Sequence, residues 1–206
     1  MNMPRSASRR TRPVIAPKLH HSTFLTLKID DMVAWYETVA GLTPVHYSDA
    51  AAWLTNDEAK HRIALIAHPK VTRPVDKPTR AGLHHTAFEY ADFDQWLDNY
   101  TRLRDENIMP FMCLDHGITM SMYYADPEGN GVEIQFDAFG DWAASKEWMW
   151  ASREFAENPI GSYFDPDKLV EAREQGLSME DIHQGARAGK YPPEHPPEDI
   201  LVPEAY

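Results

Sequence analysis

Two adjacent histidine pairs, His20-His21 and His84-His85, and one glutamate, Glu133, are the residues whose types and spacing best suit chemistry. Each pair opens an alternating segment: His20-His21-Ser22-Thr23-Phe24-Leu25-Thr26-Leu27 and Leu83-His84-His85-Thr86-Ala87-Phe88-Glu89. Adjacent residues on a strand point to opposite faces, so one imidazole of each pair faces the same side. Glu133 follows the turn-forming run Asp126-Pro127-Glu128-Gly129-Asn130-Gly131. Val132, Ile134 and Phe136 mark one face of that strand, and Glu133 and Gln135 point away from them. A carboxylate on the inner face of a small sheet needs a partner, and a metal ion is the simplest one. Two imidazoles and one carboxylate hold Fe(II) in non-haem oxygenases and leave about three positions open, enough for a chelating diol and dioxygen.

The elements that must position these residues form two similar halves. After the first histidine pair, Met32, Val33, Trp35, Tyr36 and Val39 predict a helix capped by Asp30 and stopped by Gly41. Strand-like segments follow at 44–48, 51–55 and 61–67. In the second half, Phe93, Trp96, Leu97, Tyr100 and Leu103 predict a helix over about 92–106. Strands are expected at about 109–113, 119–125 and 131–136. Each half is therefore β-α-β-β-β. Residues 1–16 read as a basic, disordered leader, 17–138 as the core (modules about 17–69 and 81–138), and 139–206 as a tail. Helices are expected in the tail at about 140–156 and 165–175, before a Pro-rich segment that begins at Tyr191. That segment lies over a neighbouring subunit or remains loose, and Ile200, Leu201, Val202 and Tyr206 favour the first by giving it something to bury. Trp142, Trp148 and Trp150 are expected to pack the tail onto the core.

These residues resemble the vicinal oxygen chelate superfamily (the glyoxalase and bleomycin resistance fold). Within it they are most similar to one-domain type I extradiol catechol dioxygenases of the 2,3-dihydroxybiphenyl dioxygenase kind. The motifs that carry the resemblance are Leu83-His84-His85-Thr86-Ala87-Phe88, Asp115-His116-Gly117, and Tyr123 leading into Asp126-Pro127-Glu128-Gly129-Asn130 and Glu133. The resemblance implies an α+β fold in which paired βαβββ modules form a half-barrel with a helical, Pro-rich extension. It implies metal ligands His21, His85 and Glu133, with His21 chosen over His20 by its spacing from Trp35-Tyr36. His116, Tyr123 and His61 take the family's catalytic positions: His116 as acid/base, Tyr123 orienting the substrate oxygen, and His61 beside the activated oxygen or the substrate proton. Fe(II) is the implied cofactor, Mn(II) satisfies the same ligands, and dioxygen is the co-substrate. The implied substrate is a small aromatic diol, and the implied assembly a homodimer or higher homo-oligomer. His20 and His84 read as structural, and His46, His68, His183 and His195 as surface or structural.

Two rival functions share this fold. Glyoxalase-type isomerases commonly use a fourth protein ligand from the last strand of the first half. Matching the turn at 56–60 to that at 126–130 sets Ile63, which cannot bind metal, at the position of Glu133. Non-enzymatic binding proteins lack the three ligands altogether. Composition removes other classes. The net charge is −12, and residues 141–206 carry 14 acids against 6 bases, which disfavours nucleic acid as a partner. No apolar run nears the roughly 18 residues needed to cross a membrane. Cys113 is the only cysteine, which excludes an intrachain disulfide and fits a reducing, cytoplasmic setting.

Overall fold

A computed structural model describes residues 15–203. All but the last two residues of the expected leader, and Tyr206 at the other end, lie outside the described residues. The first half runs β1 (Ser22–Thr26), α1 (Ile29–Ala40), β2 (Thr43–Ser48), β3 (Ala51–Thr55) and β4 (Ile63–Ala67). The second runs β5 (His85–Tyr90), α2 (Phe93–Asp105), β6 (Met112–Asp115), β7 (Thr119–Ala125) and β8 (Gly131–Asp137). The tail adds α3 (Trp142–Ala151), α4 (Arg153–Glu157), β9 (Ser162–Tyr163), α5 (Pro166–Glu174) and α6 (Met179–Arg187).

The strands make two open sheets, ordered β1-β4-β3-β2 and β5-β8-β7-β6-β9, and no closed barrel. In each sheet the opening strand lies parallel to the last strand of its own half, and the other pairings are antiparallel. Both helices pack on the same core. Met32, Tyr36 and Val39 of α1 and Trp96, Tyr100 and Leu103 of α2 are buried there with Ile63, Leu65, Val132 and Ile134. The Trp96 indole N–H, which would be costly to leave unpaired, donates to the Ile134 carbonyl at 2.9 Å.

Several local expectations differ from the structure: β6 begins at Met112 rather than near 109, and the helix expected over about 140–156 is broken at Ser152 into α3 and α4. Asp30 does not cap α1. The helix begins two residues earlier than that cap would set it, with Lys28 at the cap position, and Thr26 Oγ1 accepts the Lys28 N–H at 2.8 Å. Asp30 lies in the first turn, where the helix dipole favours an acid, and accepts a hydrogen bond from the Tyr47 hydroxyl. Gly41 does end the helix, with φ 64° and its N–H on the Tyr36 carbonyl. The histidine pairs also sit at the edge of the strands rather than within them. His20 and His21 precede β1, His84 precedes β5, and His85 is its first residue.

The halves are locked through the 126–130 turn. Asp126 accepts from the Glu128 N–H, the Asn130 N–H and the Asn130 side-chain amide at 2.7–2.9 Å. Glu128 Oε1 then accepts from Thr26 Oγ1 at 3.0 Å and the Leu27 N–H at 2.7 Å, so the turn before β8 holds the end of β1. Tyr36 of α1 donates to Asp126 at 3.2 Å.

The tail covers its own chain. β9 extends the second sheet beside β6, and Tyr191 of the Pro-rich segment is buried in the core. The Asp165 N–H donates to the Tyr191 carbonyl at 2.8 Å, and Val202 is buried against the position of Gly131. Helix α6 was not expected, because only Ile182, His183 and Ala186 form its buried stripe and Gly185 interrupts the pattern. Its start is fixed by a reciprocal Ser178–Asp181 capping box. Of the three tail tryptophans only Trp148 packs inward, against Phe139, Phe155 and Gly117, whereas Trp142 and Trp150 are exposed.

Candidate functional site

Alternation on the second sheet separates two faces. Met120, Met122 and Tyr124 of β7 and Val132, Ile134 and Phe136 of β8 enter the main core. Ser121, Tyr123 and Glu133 point the other way, beside a separate apolar group of Met112, Leu114, Phe111 and Tyr163. Glu133 lies directly across the ladder from Tyr123 and is 5% exposed. An ionised carboxylate at that depth requires donors, and it has them. His85 Nε2 lies 2.9 Å from its Oε2, and the Tyr123 hydroxyl 3.1 Å from its Oε1. Burial pushes the Glu133 pKa up, but hydrogen bonds from His85, Ser121 and Tyr123 outweigh it and leave the carboxyl below its usual range.

Tyr123 continues the chain of contacts. His116 Nε2 is 2.8 Å from its hydroxyl oxygen. Burial, then the Glu133 charge and hydrogen bond, raise the Tyr123 pKa far above that of a free phenol, so the hydroxyl keeps its proton. Burial lowers the His116 pKa against the opposing pull of Glu133, and the ring also meets the Ile160 carbonyl. His85, Glu133, Tyr123 and His116 thus form one connected set, drawn from β5, β8, β7 and the β6–β7 loop.

The first-half residues assemble separately. His21 lies against His61, with ring centroids 4.3 Å apart, and its Nδ1 is 3.1 Å from His20 Nδ1. His20, His21 and His61 offer ligand atoms within 4.8 Å of one another, the only such group among the described residues. His21, His85 and Glu133 do not meet that spacing. Burial, then the neighbouring His21, His20 and Lys60, lower the His61 pKa. Within each pair the two rings touch rather than diverge: His84 Nδ1 is 2.7 Å from His85 Nδ1. The alternation argument fails there because the backbone is not yet in a continuous strand. His84 also reaches the Ile200 carbonyl with Nε2 at 2.6 Å, a structural tie to the tail.

Strand register corrects one equivalence. Ser22 pairs with Ile63, and Thr86 with Val132. With His21 matched to His85, Ile63 corresponds to Val132, and Ala64 is the counterpart of Glu133. The ungapped turn match slipped by one residue. Its chemical content stands, because an alanine methyl cannot bind metal either.

Sequence reasoning passed over two polar residues beside this set. Asp115 is 1% exposed, and His183 of α6, expected at the surface or in a structural role, is 5% exposed and lies 3.3 Å from it. The only signal for Asp115 was its place before His116. His183 had none, since its partner lies 68 residues away in sequence.

Comparison with known proteins adds an independent line. The profile of the Glyoxalase/Bleomycin resistance protein/Dioxygenase superfamily matches residues 18–134. The chain is 35% identical over 189 residues to "Biphenyl-2,3-diol 1,2-dioxygenase 3" of Rhodococcus globerulus, covering 92% of this chain and 99% of that protein. It is 34% identical over 180 residues to "Biphenyl-2,3-diol 1,2-dioxygenase 2" of the same organism, covering 87% and 94%. A glyoxalase/dioxygenase of Nostoc punctiforme of known structure superposes with a TM-score of 0.50 at 20% identity, over 62% of this chain and 99% of its own, a likeness of fold alone.

Proposed function

This chain belongs to the Glyoxalase/Bleomycin resistance protein/Dioxygenase superfamily, and we propose that it is an extradiol, ring-cleaving dioxygenase acting on a catechol-type aromatic diol with Fe(II) and dioxygen. The observation that carries the reading is the run of contacts from His85 through Glu133 and Tyr123 to His116, on the face of the second sheet that the core does not use. The names of the two Rhodococcus relatives support it.

The donor atoms fit such a metal. Half-buried His85 and buried Glu133 bring a nitrogen and an oxygen within 2.9 Å of each other, a set that suits divalent iron or manganese. His21 is the third ligand of the reading. It lies against His61 in this structure, so the proposal requires its ring to leave that contact. When bound, the ion supplies a Lewis acid that acidifies a chelated diol and a centre at which dioxygen reacts.

The chain's own groups do the rest. Met112, Leu114, Phe111 and Tyr163 form the apolar wall against which an aromatic ring packs and from which water is excluded. Tyr123 has one hydroxyl proton and two acceptors in reach, Glu133 Oε1 and His116 Nε2. Once the Glu133 oxygens serve a ligand role, that proton turns to His116 or to a substrate oxygen, which Tyr123 thereby orients. A neutral His116 with its proton on Nδ1 presents Nε2 as an acceptor toward Tyr123, the state required of a base, and it returns the proton it takes as an acid.

The test is anaerobic purification, metal quantification, and addition of a catechol panel in air while the visible spectrum is followed. A yellow ring-fission product that depends on Fe(II) is expected. Failure to bind Fe(II) or Mn(II) on reconstitution would instead favour a ligand-binding member of the superfamily. A second reading rests on His20, His21 and His61, whose spacing suits an ion held by imidazoles alone. Metal content separates the two: Glu133→Ala empties the first site, and His61→Ala the second.

A further inference from the structure

Helix α6 reaches the back of the loop that carries His116. His183 Nε2 lies 3.3 Å from Asp115 Oδ1, and both side chains are more than nine-tenths buried. Neither His183 Nε2 nor Asp115 Oδ2 has a hydrogen-bond partner as placed. A buried carboxylate oxygen left without a donor is costly, and a modest turn of the imidazole brings its N–H into hydrogen-bond geometry with this carboxylate. Asp115 Oδ1 already accepts the Gly117 N–H at 2.8 Å, so this carboxylate spans the residue between them, which is His116. The His116 N–H is held by the Thr119 carbonyl at 2.9 Å.

The rest of the tail closes on the same three residues. Gly161, with φ +93°, passes so near that a Cβ there would stand 1.9 Å from the Asp115 carbonyl oxygen. The Trp148 ring covers Gly117 from another side. Ile182 and Ala186, fully buried, anchor α6 so that His183 has little freedom to move away.

We infer that His183 is a positioning residue for His116: its N–H holds the Asp115 carboxylate, which fixes the Asp115-His116-Gly117 turn and aims His116 Nε2 at the Tyr123 hydroxyl. The inference rests on the proposed role of His116. It also assigns the tail a part in the chemistry that the 18–134 family region lacks.

The experiment compares His183→Leu, which fills the space without a donor, with His183→Gln, which keeps one. His183→Leu lowers kcat by on the order of tenfold while KM and bound metal change by less than about twofold. His183→Gln restores most of the loss. In a His116→Ala background, His183→Leu adds nothing further, because the residue it aims is gone. Losses that multiply in the double variant, or a lowered Tm with kcat intact, overturn the inference. Imidazole nitrogen NMR of the metal-free full chain reads it without turnover. His116 keeps one tautomer in the wild type and His183→Gln and averages in His183→Leu; an unchanged spectrum overturns the proposal. A wild type inactive on every catechol would count against the proposed function alone, since the spectra still decide this one. If His183→Leu does not fold, Asp115→Asn is read by the same criteria.

Discussion

In the first half, Ala64 faces Trp53 across the β3–β4 ladder; in the second, Glu133 faces Tyr123 across β7–β8. These are matched positions on matched strands, and the core faces behind them are alike: Ile63 and Leu65 in one, Val132 and Ile134 in the other. On the opposite faces the halves part. The first presents Leu25 and Ile66, 61% and 37% exposed, and no carboxylate among the described residues of its strands. The second presents a buried glutamate, its phenol and two imidazoles. The core side decides whether a β-α-β-β-β unit folds, so it constrains both copies. The other side is free to differ, and in the second half Glu133 is buried where His85 and Tyr123 give it partners.

The sharpest way to break this contrast is Glu133→Ala. It should abolish metal retention and ring fission together, whereas His61→Ala should keep stoichiometric metal, both read by metal analysis. Retained metal in Glu133→Ala would move the centre to the first half. The core side should behave alike in both halves. Trp96→Ala in α2 should cost about 3–5 kcal/mol and Met32→Ala at the matching place in α1 about 2–5 kcal/mol, by urea denaturation. His116→Ala should hold its metal and lose about 100-fold in kcat, and unchanged turnover would remove it from the mechanism. Tyr123→Phe loses one hydrogen-bonding hydroxyl, and about tenfold in kcat is expected from steady-state rates.

The smallest effect is in pH. Burial lowers the His116 pKa in the folded protein, so the unfolded chain binds the proton more readily. Its contribution to stability is therefore present above the ordinary histidine pKa of about 6.5 and is lost as pH falls through the lowered value. The acid limb of kcat should likewise lie below 6.5, and His116→Gln should flatten the stability slope in that window, as followed by urea midpoints.

Much of the scaffold was legible from local pattern. Helix α2 was announced by Phe93, Trp96, Leu97, Tyr100 and Leu103 at helical spacing, with Asp92 accepting the Gln95 N–H at its cap. Strand β7 fell at 119–125 as expected, and Glu133 faces away from Val132 and Ile134 as alternation requires. Such features depend on residues a few positions apart, and a period of two or of 3.6 carries that information.

Long-range contacts decided the rest. Whether His21 meets His61 or His85, which residue of β4 stands for Glu133, and that His183 reaches Asp115 all depend on how strands and helices far apart in sequence are set against each other. The sequence by itself determined the two repeated units, their apolar faces and the residue types available for chemistry. Only the tertiary structure decided which of ten histidines share a site, because register and packing, not spacing along the chain, bring side chains within hydrogen-bond reach.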